Sequence, residues 1–195
     1  PHTKDALRNM DAHLQDLWEN IQQGPRKDSV NLIVVSDHGM TLVSPERKIE
    51  CKKYLNPKWY ERVEGNLPAQ IYCKKGYVDS VYNALKDLPH QRVWRKKDIP
   101  AYLHYGTHVN IGDIVVDPQE GWLVTDDKVK TGGMHGYDPT YSDLQAIFRA
   151  MGPSFRHITY PHFQNVNVYA LLCHLIGITP APNDGNFQEV SPLLN

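Results

Sequence analysis

VNLIVVSDHGM, residues 30–40, is the stretch of sequence that decides the fold. After Asn31 it is an apolar, mostly β-branched run with no polar alternation, which is typical of a central parallel strand buried on both faces. Apolar residues at helical spacing predict an amphipathic helix over residues 5–22, which Gly24-Pro25 ends. A helix followed by a buried strand indicates an α/β fold with a mostly parallel central sheet between helices.

Asp37 and His38 follow that strand directly, and Gly39 comes next. In open α/β sheets, ligands bind beyond the carboxyl ends of strands. A carboxylate and an imidazole side by side are a common pair of ligands for Zn²⁺. The alternative interpretation is a polar loop in which Asp37 caps a helix, and the residues alone leave both open.

A second candidate site residue is His135, in Gly132-Gly133-Met134-His135-Gly136. Glycines on both sides of a histidine allow the backbone to approach a ligand closely. His135 could complete a metal site that is far from Asp37 in the sequence. The alternative is a flexible Gly-rich turn that carries a solvent-facing histidine.

The rest of the chain is predicted from local patterns. We expect a small inserted α+β subdomain over about residues 45–125, and a strand or a helix at 144–150. The other expected elements are strands at 70–73 and 92–94, a helix at 77–87, a hairpin of 111–116 with 121–124, a long loop at 126–143 and a helix at 166–176.

The composition and the net charge of the chain exclude several classes of protein and partner. The chain has 195 residues, 41% of them hydrophobic, and a formal net charge of -1, so no nucleic-acid polymer and no anionic membrane surface is expected as a partner. The sequence has no apolar run long enough for a transmembrane helix. Cys51, Cys73 and Cys173 are expected as buried free thiols, with a bridge between Cys51 and Cys73 as the alternative. The absence of an N-x-[ST] sequon favours a bacterial source.

The motifs together resemble one family. Their order is the apolar strand with S-D-H-G-M, then Gly133 to Asp138 as G-M-H-G-Y-D, then Ala146 to Phe155 ending A-M-G-P-S-F. A closing helix and turn follow, as Tyr169 to Gly177 and Pro180 to Gly185. Along essentially the whole chain this order is similar to the nucleotide pyrophosphatase/phosphodiesterase family of the alkaline phosphatase superfamily.

The resemblance implies a fold, two bound metal ions and the residues that bind them. The fold is alkaline-phosphatase-like, and the chain is the C-terminal part of one phosphodiesterase catalytic domain. The family implies two zinc ions with six protein ligands and a threonine nucleophile. Asp37 and His38 match the pair on the nucleophile-side zinc, and His135 matches a ligand of the other zinc. Pro1 aligns with the last proline of a D-x-x-G-H-x-x-G-P stretch, so we expect the remaining ligands and the threonine upstream.

Other polar residues give weaker signals. None of Thr3, Thr41 and Thr107 lies at a strand-to-helix junction, so no nucleophile is assigned. The four-residue spacing of His104 and His108 suits a helical metal pair, but Gly106 between them weakens a helix. Tyr137 is a candidate contact for substrate and Asp138 a candidate for orienting a ligand; a purely structural role remains open for both.

The resemblance implies a two-zinc hydrolase of phosphodiester or pyrophosphate bonds in nucleotides or related alcohol phosphates. The alternatives are a phosphomonoesterase or sulfatase of the same superfamily, or a non-catalytic module that binds a ligand or partner. The expected partners are the N-terminal half of the domain and a small phosphodiester or nucleotide, and the expected location is extracytoplasmic. We expect the chain alone to be inactive.

Overall fold

The computed structural model describes residues 2–195, which divide into two compact units. The first unit holds the chain up to Asp37 together with Ile147–Asn195, and the second is His38–Ala146. The predicted subdomain at about residues 45–125 lies within the second unit, and its narrower bounds stay a prediction. Among the described residues, no helix is both long enough and apolar enough to span a bilayer.

Helices and strands alternate irregularly along the chain. The helices are α1 (His2–Gln23), α2 (Val78–Leu85) and α3 (Asn167–Ile176). The strands are β1 (Leu32–Val35), β2 (Thr41–Val43), β3 (Lys48–Ile49), β4 (Tyr60–Glu64), β5 (Ala69–Cys73), β6 (Gln91–Arg95), β7 (Ile114–Pro118), β8 (Leu123–Val124), β9 (Gly132–Met134) and β10 (Phe148–Met151).

In the first unit, β1 pairs with β10 in antiparallel register, with Leu32 opposite Met151. The ambiguous segment at 144–150 therefore contributes a strand. α3 ends where predicted, at Gly177, which adopts a positive φ of 73°. Its Leu171 is fully buried in a cluster with Phe155, Val190 and Leu193.

The prediction of a mostly parallel sheet is not met within residues 2–195. Every strand pairing described there is antiparallel except that of β3 with β8. The strand β1 is also only partly buried, and Val35 is 50% exposed. The apolar run indicated that both faces of β1 are suited to burial, but such a run carries no information about the direction of the neighbouring strands.

Helix α1 confirms the predicted amphipathic segment, yet none of its residues is buried. The side chains of Leu7, Met10 and Leu17 are 65%, 59% and 47% exposed. An apolar helix face of this kind normally packs against another element.

In the second unit, an antiparallel sheet with the order β4-β5-β7-β6 forms the main core with α2. Val81 and Leu85 on α2 are fully buried, and so are Ile71 on β5 and Ile114 on β7. Along β5, buried Ala69 and Ile71 alternate with a partly buried residue, whereas all five residues of β7, which lies between β5 and β6, are buried.

The predicted hairpin of 111–116 with 121–124 is wrong. Strand β7 pairs with β5 on one side and β6 on the other, while β8 pairs in parallel with β3. A strand has only two edges, and both edges of β7 are taken by strands that are distant in sequence. The predicted long loop at 126–143 contains the short strand β9, which pairs with β2.

The three cysteines are free. Cys51 and Cys173 are buried as predicted, and Cys73 is only partly buried. Burial raises the pKa of the Cys51 and Cys73 thiols to about 12 each, so both stay protonated at neutral pH and neither is an activated nucleophile.

Truncation of Ile71 tests the core of the second unit. Ile71 is fully buried between Val63 and Ile114 on the neighbouring strands. We expect Ile71→Ala to lower the free energy of unfolding by about 2–5 kcal/mol, because it leaves a cavity. The control Val109→Ala, at a residue 79% exposed, should change it by less than about 0.5 kcal/mol. Urea-induced unfolding measures both, and equal losses would contradict a packed core around β5.

Candidate functional site

The end of β1 is fixed by hydrogen bonds within the first unit. The Ser36 amide donates to the Ile147 carbonyl at 3.2 Å, and the Ile147 amide donates to Ser36 Oγ at 2.9 Å. Asp37 follows, is exposed, and accepts a hydrogen bond on its backbone carbonyl from Asn165 Nδ2 at 3.2 Å. The Asp37 backbone is thus held at the carboxyl end of a strand, as the sequence predicted.

His38 begins the second unit and is partly buried. Its Nδ1 lies 2.7 Å from the Gly39 carbonyl oxygen. Because a carbonyl only accepts hydrogen bonds, the donor in this contact is the Nδ1–H group of His38. Metal-binding histidines commonly have this arrangement, in which one ring nitrogen donates to a backbone carbonyl and the other binds the metal.

Gly39 lets the chain pass close to the segment around Asp143. The Gly39 amide donates to the Leu144 carbonyl at 2.9 Å, and the Met40 amide donates to the Asp143 carbonyl at 2.7 Å. A Cβ on Gly39 would lie only 2.1 Å from the Asp143 carbonyl oxygen. A residue with a side chain therefore cannot replace Gly39 without moving the backbone next to His38.

The pairing of β2 with β9 brings His38 and His135 together. Thr41 lies opposite Met134 in this pairing. His135 directly follows Met134, and His38 lies three residues before Thr41, so both histidines lie at the same end of the strand pair. The two imidazole rings are stacked, with centroids 3.6 Å apart and planes inclined by 12°. His135 itself is exposed. The structure thus places two of the three predicted metal ligands in direct contact.

The residues after His135 are held in the core. Gly136 has a φ of 108°, and a Cβ there would lie 2.6 Å from the Leu67 carbonyl oxygen. Tyr137 is 6% exposed and packs in a cluster with Val43, Leu123 and Leu144. Burial also raises the pKa of Tyr137 to about 12. This burial supports the structural alternative for Tyr137, and substrate contact by its side chain stays a prediction.

Asp138 is the centre of a buried polar network. Its Oδ1 accepts hydrogen bonds from the Thr140 amide at 2.9 Å and from Thr140 Oγ1 at 2.7 Å. Its Oδ2 accepts from the Tyr102 hydroxyl at 2.5 Å and from Arg92 Nη2 at 2.6 Å. Arg92 also donates to Asp117 Oδ2, through Nε at 3.0 Å and through Nη2 at 2.5 Å. Both oxygens of Asp138 therefore have partners other than a histidine.

The network shifts the pKa values of its two carboxyl groups in opposite directions. Burial raises the pKa of Asp138, but hydrogen bonds from Tyr102, Thr140 and Arg92 outweigh it and hold this pKa well below its usual range. Burial raises the pKa of Asp117 above its usual range, although Arg92 beside it acts in the opposite direction. Asp138 is therefore the more firmly ionised of the pair.

Sequence reasoning missed Arg92, Tyr102, Asp117 and Thr140. Arg92 lies directly opposite Asp117 in the pairing of β6 with β7. The predicted hairpin gave β7 a different neighbour, so the sequence offered no signal for this ion pair. The sequence placed Asp138 next to a ligand by its position but could not show which groups its carboxylate contacts.

Other candidates are not brought into the site. In residues 2–195, no three or more His, Cys, Asp or Glu side chains are grouped so that they could hold a metal ion. His104 adopts a left-handed backbone conformation with φ 47°, and His108 Nδ1 accepts a hydrogen bond from the Asn110 amide at 3.2 Å. The Thr41 hydroxyl is buried and donates to Asp143 Oδ2 at 3.2 Å, so Thr41 is held as a structural residue.

Comparisons with known proteins give one family. The family described as "Type I phosphodiesterase / nucleotide pyrophosphatase" matches residues 1–138. Human ectonucleotide pyrophosphatase/phosphodiesterase family member 5 is 36% identical over 194 residues, which cover 97% of this chain and 41% of that protein. Its solved structure superimposes with a TM-score of 0.89 at 35% identity, covering 100% of this chain and 53% of the other.

Two further relatives carry information on ligands in their names. An inactive form of the murine family member 5, solved in complex with AMP, has a TM-score of 0.88 at 35% identity and covers 100% of this chain and 53% of its own. The bis(5'-adenosyl)-triphosphatase of Bos taurus is 34% identical over 193 residues, 97% of this chain and 42% of that protein. The chain thus spans about half the length of the relatives it matches, and the predicted α/β, alkaline-phosphatase-like fold class is confirmed.

Substitution of Gly136 tests whether a close backbone approach positions His135. We expect Gly136→Ala to destabilise the protein by more than the roughly 1–3 kcal/mol of a strained backbone alone, because its Cβ would also clash with Leu67. Gly76→Ala is the matched control, since Gly76 has a φ of 88° and nothing within 4 Å of its added Cβ. Denaturant unfolding gives the energies, and histidine-ring NMR signals should shift only in Gly136→Ala. Identical behaviour of the two variants would rule out the steric contact.

The lowered pKa of Asp138 predicts a dependence of stability on pH. A carboxyl group with a depressed pKa in the folded state stabilises the fold above its unfolded pKa of about 3.9, and this contribution is lost as pH falls through the folded value. Asp138→Asn should therefore lower stability at neutral pH and flatten its decrease below about pH 4. Unfolding free energies measured from neutral to acidic pH decide this, with Asp87→Asn, whose side chain is 87% exposed, as the control. Parallel curves for wild type and Asp138→Asn would contradict the network.

Proposed function

Because the chain belongs to the type I phosphodiesterase/nucleotide pyrophosphatase family, we propose that it forms part of a domain that hydrolyses phosphodiester or pyrophosphate bonds of nucleotides or related alcohol phosphates. The observation that carries this proposal is the contact between His38 and His135. These two residues lie in the two motifs on which the sequence resemblance rests, and the fold brings them together.

The three proposed ligands are suited to bind two metal ions, each of which would also be bound by residues outside this chain. We assign Asp37 and His38 to one zinc and His135 to the other. His38 Nδ1 lies 2.7 Å from the Gly39 carbonyl oxygen, and metal-binding histidines commonly make such a contact through the ring nitrogen that does not bind the metal. The His38 and His135 rings are in contact, with centroids 3.6 Å apart, and the two ions of such sites are themselves only roughly 3.5–4 Å apart, so ligands of both ions are expected close together in the fold.

Three ligands from this chain do not complete two zinc sites, because catalytic zinc usually has about three protein ligands per ion. The absence of a three-ligand group in residues 2–195 is consistent with a set completed by residues outside them. When bound, zinc would neutralise charge on the phosphoryl oxygens and activate a nucleophile. The threonine nucleophile implied by the resemblance would likewise come from outside this chain.

Nucleotides are the favoured class of substrate. The murine relative was solved with AMP, and the relative from Bos taurus is named as a bis(5'-adenosyl)-triphosphatase. The net charge of -1 on this chain gives no general attraction for polyanions, so we expect a small nucleotide rather than a nucleic-acid polymer. The names of several relatives, which include "ectonucleotide" and "venom", support an extracytoplasmic location.

The remainder of the domain is the proposed partner of the first unit. The apolar side chains of Leu7, Met10, Leu17 and Val35 are each about half exposed or more. The relatives contain about as much additional chain again. Burying these apolar surfaces against that additional chain would stabilise both parts, since removal of apolar area from water is favourable.

Activity measurements test the proposal directly. Residues 1–195 alone, with excess Zn²⁺, should not hydrolyse a chromogenic nucleotide phosphodiester, because the proposed ligand set is incomplete and no nucleophile is assigned within these residues. The complete protein should hydrolyse this substrate, and a metal chelator should abolish that activity. His38→Ala in the complete protein should reduce kcat/KM by more than about 100-fold, beyond the 10–100-fold typical of groups that only support a metal ligand.

The matched control is His13→Ala, which changes an exposed histidine on α1 and should leave kcat/KM unchanged. Zinc-dependent turnover by residues 1–195 alone would refute the shared site. Normal activity of His38→Ala would refute the metal assignment. AMP binding without turnover by the complete protein would instead identify a non-catalytic binding module.

A further inference from the structure

We propose that Arg92 is a positioning residue for His135: by bridging Asp117 and Asp138, it fixes the loop that presents this ligand. The inference rests on the proposed function only where it concerns the metal. Arg92 belongs to neither sequence motif, and its side chain lies in the second unit together with His135.

His135 is held from two sides. On its N-terminal side, β9 pairs with β2, and Met134 lies opposite Thr41. On its C-terminal side, only Gly136 and Tyr137 separate it from Asp138. The His135 ring is exposed and stacks on His38, so the backbone on both sides largely determines where the imidazole lies.

Asp138 is the C-terminal anchor. The side chain of Asp138 is 1% exposed, and its four hydrogen bonds come from Thr140, Tyr102 and Arg92. The bonds to Thr140 are local and shape the turn. The bonds to Tyr102 and Arg92 connect the loop to distant parts of the unit, and Arg92 is the only one of these donors that lies on a strand of the four-stranded sheet.

The geometry requires an arginine at this position. One guanidinium nitrogen, Nη2, lies 2.5 Å from Asp117 Oδ2 and 2.6 Å from Asp138 Oδ2, while Nε adds a second bond to Asp117. The planar fork of arginine can donate in several fixed directions at once, whereas a lysine ammonium acts as a single flexible point charge. Without Arg92, two buried carboxylates would face each other with no cation between them, and the loop would be expected to move away from β7.

Displacement of this loop would act on the metal through His135. Small misplacements of a ligand or reacting group reduce binding and rate strongly, since both depend on pre-formed geometry. Loss of groups that orient a metal ligand typically costs about 10–100-fold in metal affinity or activity. We therefore expect Arg92→Gln to lower the zinc affinity of the metal site to which His135 is assigned. The zinc affinity of the other site should stay largely unchanged.

The experiment compares five variants of the complete protein, of which His135→Ala tests the metal assignment itself. Arg92→Gln removes the bridge, Arg92→Lys keeps the charge without the fork, and Tyr102→Phe removes a single hydroxyl donor from Asp138. Arg95→Gln is the matched control, because Arg95 lies on the same strand and donates to Asp79 Oδ1 through Nε and Nη2 at 2.9 and 2.7 Å. Arg95→Gln therefore removes a two-hydrogen-bond ion pair from the same strand, at an exposed carboxylate that is not part of the His135 loop.

Two readouts are measured besides turnover. Hydrogen–deuterium exchange followed by mass spectrometry reports the ordering of residues 132–140 and requires no metal. Competition of Zn²⁺ with a chromophoric chelator reports the affinity of each metal site. We expect faster exchange at 132–140 and about 10–100-fold weaker binding at one site for Arg92→Gln, partial recovery for Arg92→Lys, and a smaller change of the same kind for Tyr102→Phe.

Arg95→Gln should match wild type in both readouts. If Arg92→Gln resembles Arg95→Gln in exchange at 132–140, or loosens this loop without changing metal affinity, the positioning role is overturned. If His135→Ala leaves both metal affinities unchanged, the proposed metal assignment fails instead. The exchange data then still decide whether Arg92 orders the loop.

Discussion

The antiparallel pairing of β2 with β9 is the interaction on which the candidate site depends. It is short, with Thr41, Leu42 and Val43 opposite Met134, Gly133 and Gly132, yet it joins the two motifs that contain the candidate ligands His38 and His135. His38 precedes β2 and His135 follows β9, so the pairing places both rings at the same end of one strand pair. Because a slip by one residue would turn every side chain of a strand to the opposite face, the register of this pairing decides where the two rings lie.

A short pairing needs support, and the second unit supplies it on both sides. Before β2, Gly39 allows a contact with the Asp143 carbonyl that no larger residue could make. After β9, Tyr137 packs in the core and Asp138 is bound to Arg92. The residues that follow His135 are thus anchors of the loop as much as parts of a chemical motif. This arrangement fits the general need of metal ligands for rigid support.

The two units differ in how completely their apolar residues are covered. The sheet of the second unit is covered by α2 and contains fully buried Ile71 and Leu85. The first unit has a small cluster around Leu171, while α1 buries none of its residues and β1 is only partly covered. These exposed apolar residues are the basis for the proposal that the first unit packs against the rest of the domain, because an apolar helix face normally packs against another element.

Local pattern in the sequence determined α1, β1, α2 and α3, the position of Asp37 at a strand end, and the glycines around His135. Each of these depends on residues that are near one another in the chain, through periodicity, turn chemistry or backbone freedom. Tertiary structure alone decided that β7 pairs with β5 and β6, that His38 stacks on His135, and that Arg92 joins Asp117 to Asp138. A strand's pattern shows that it will be buried but not which strand lies beside it, because partners are selected by contacts among residues far apart in the sequence.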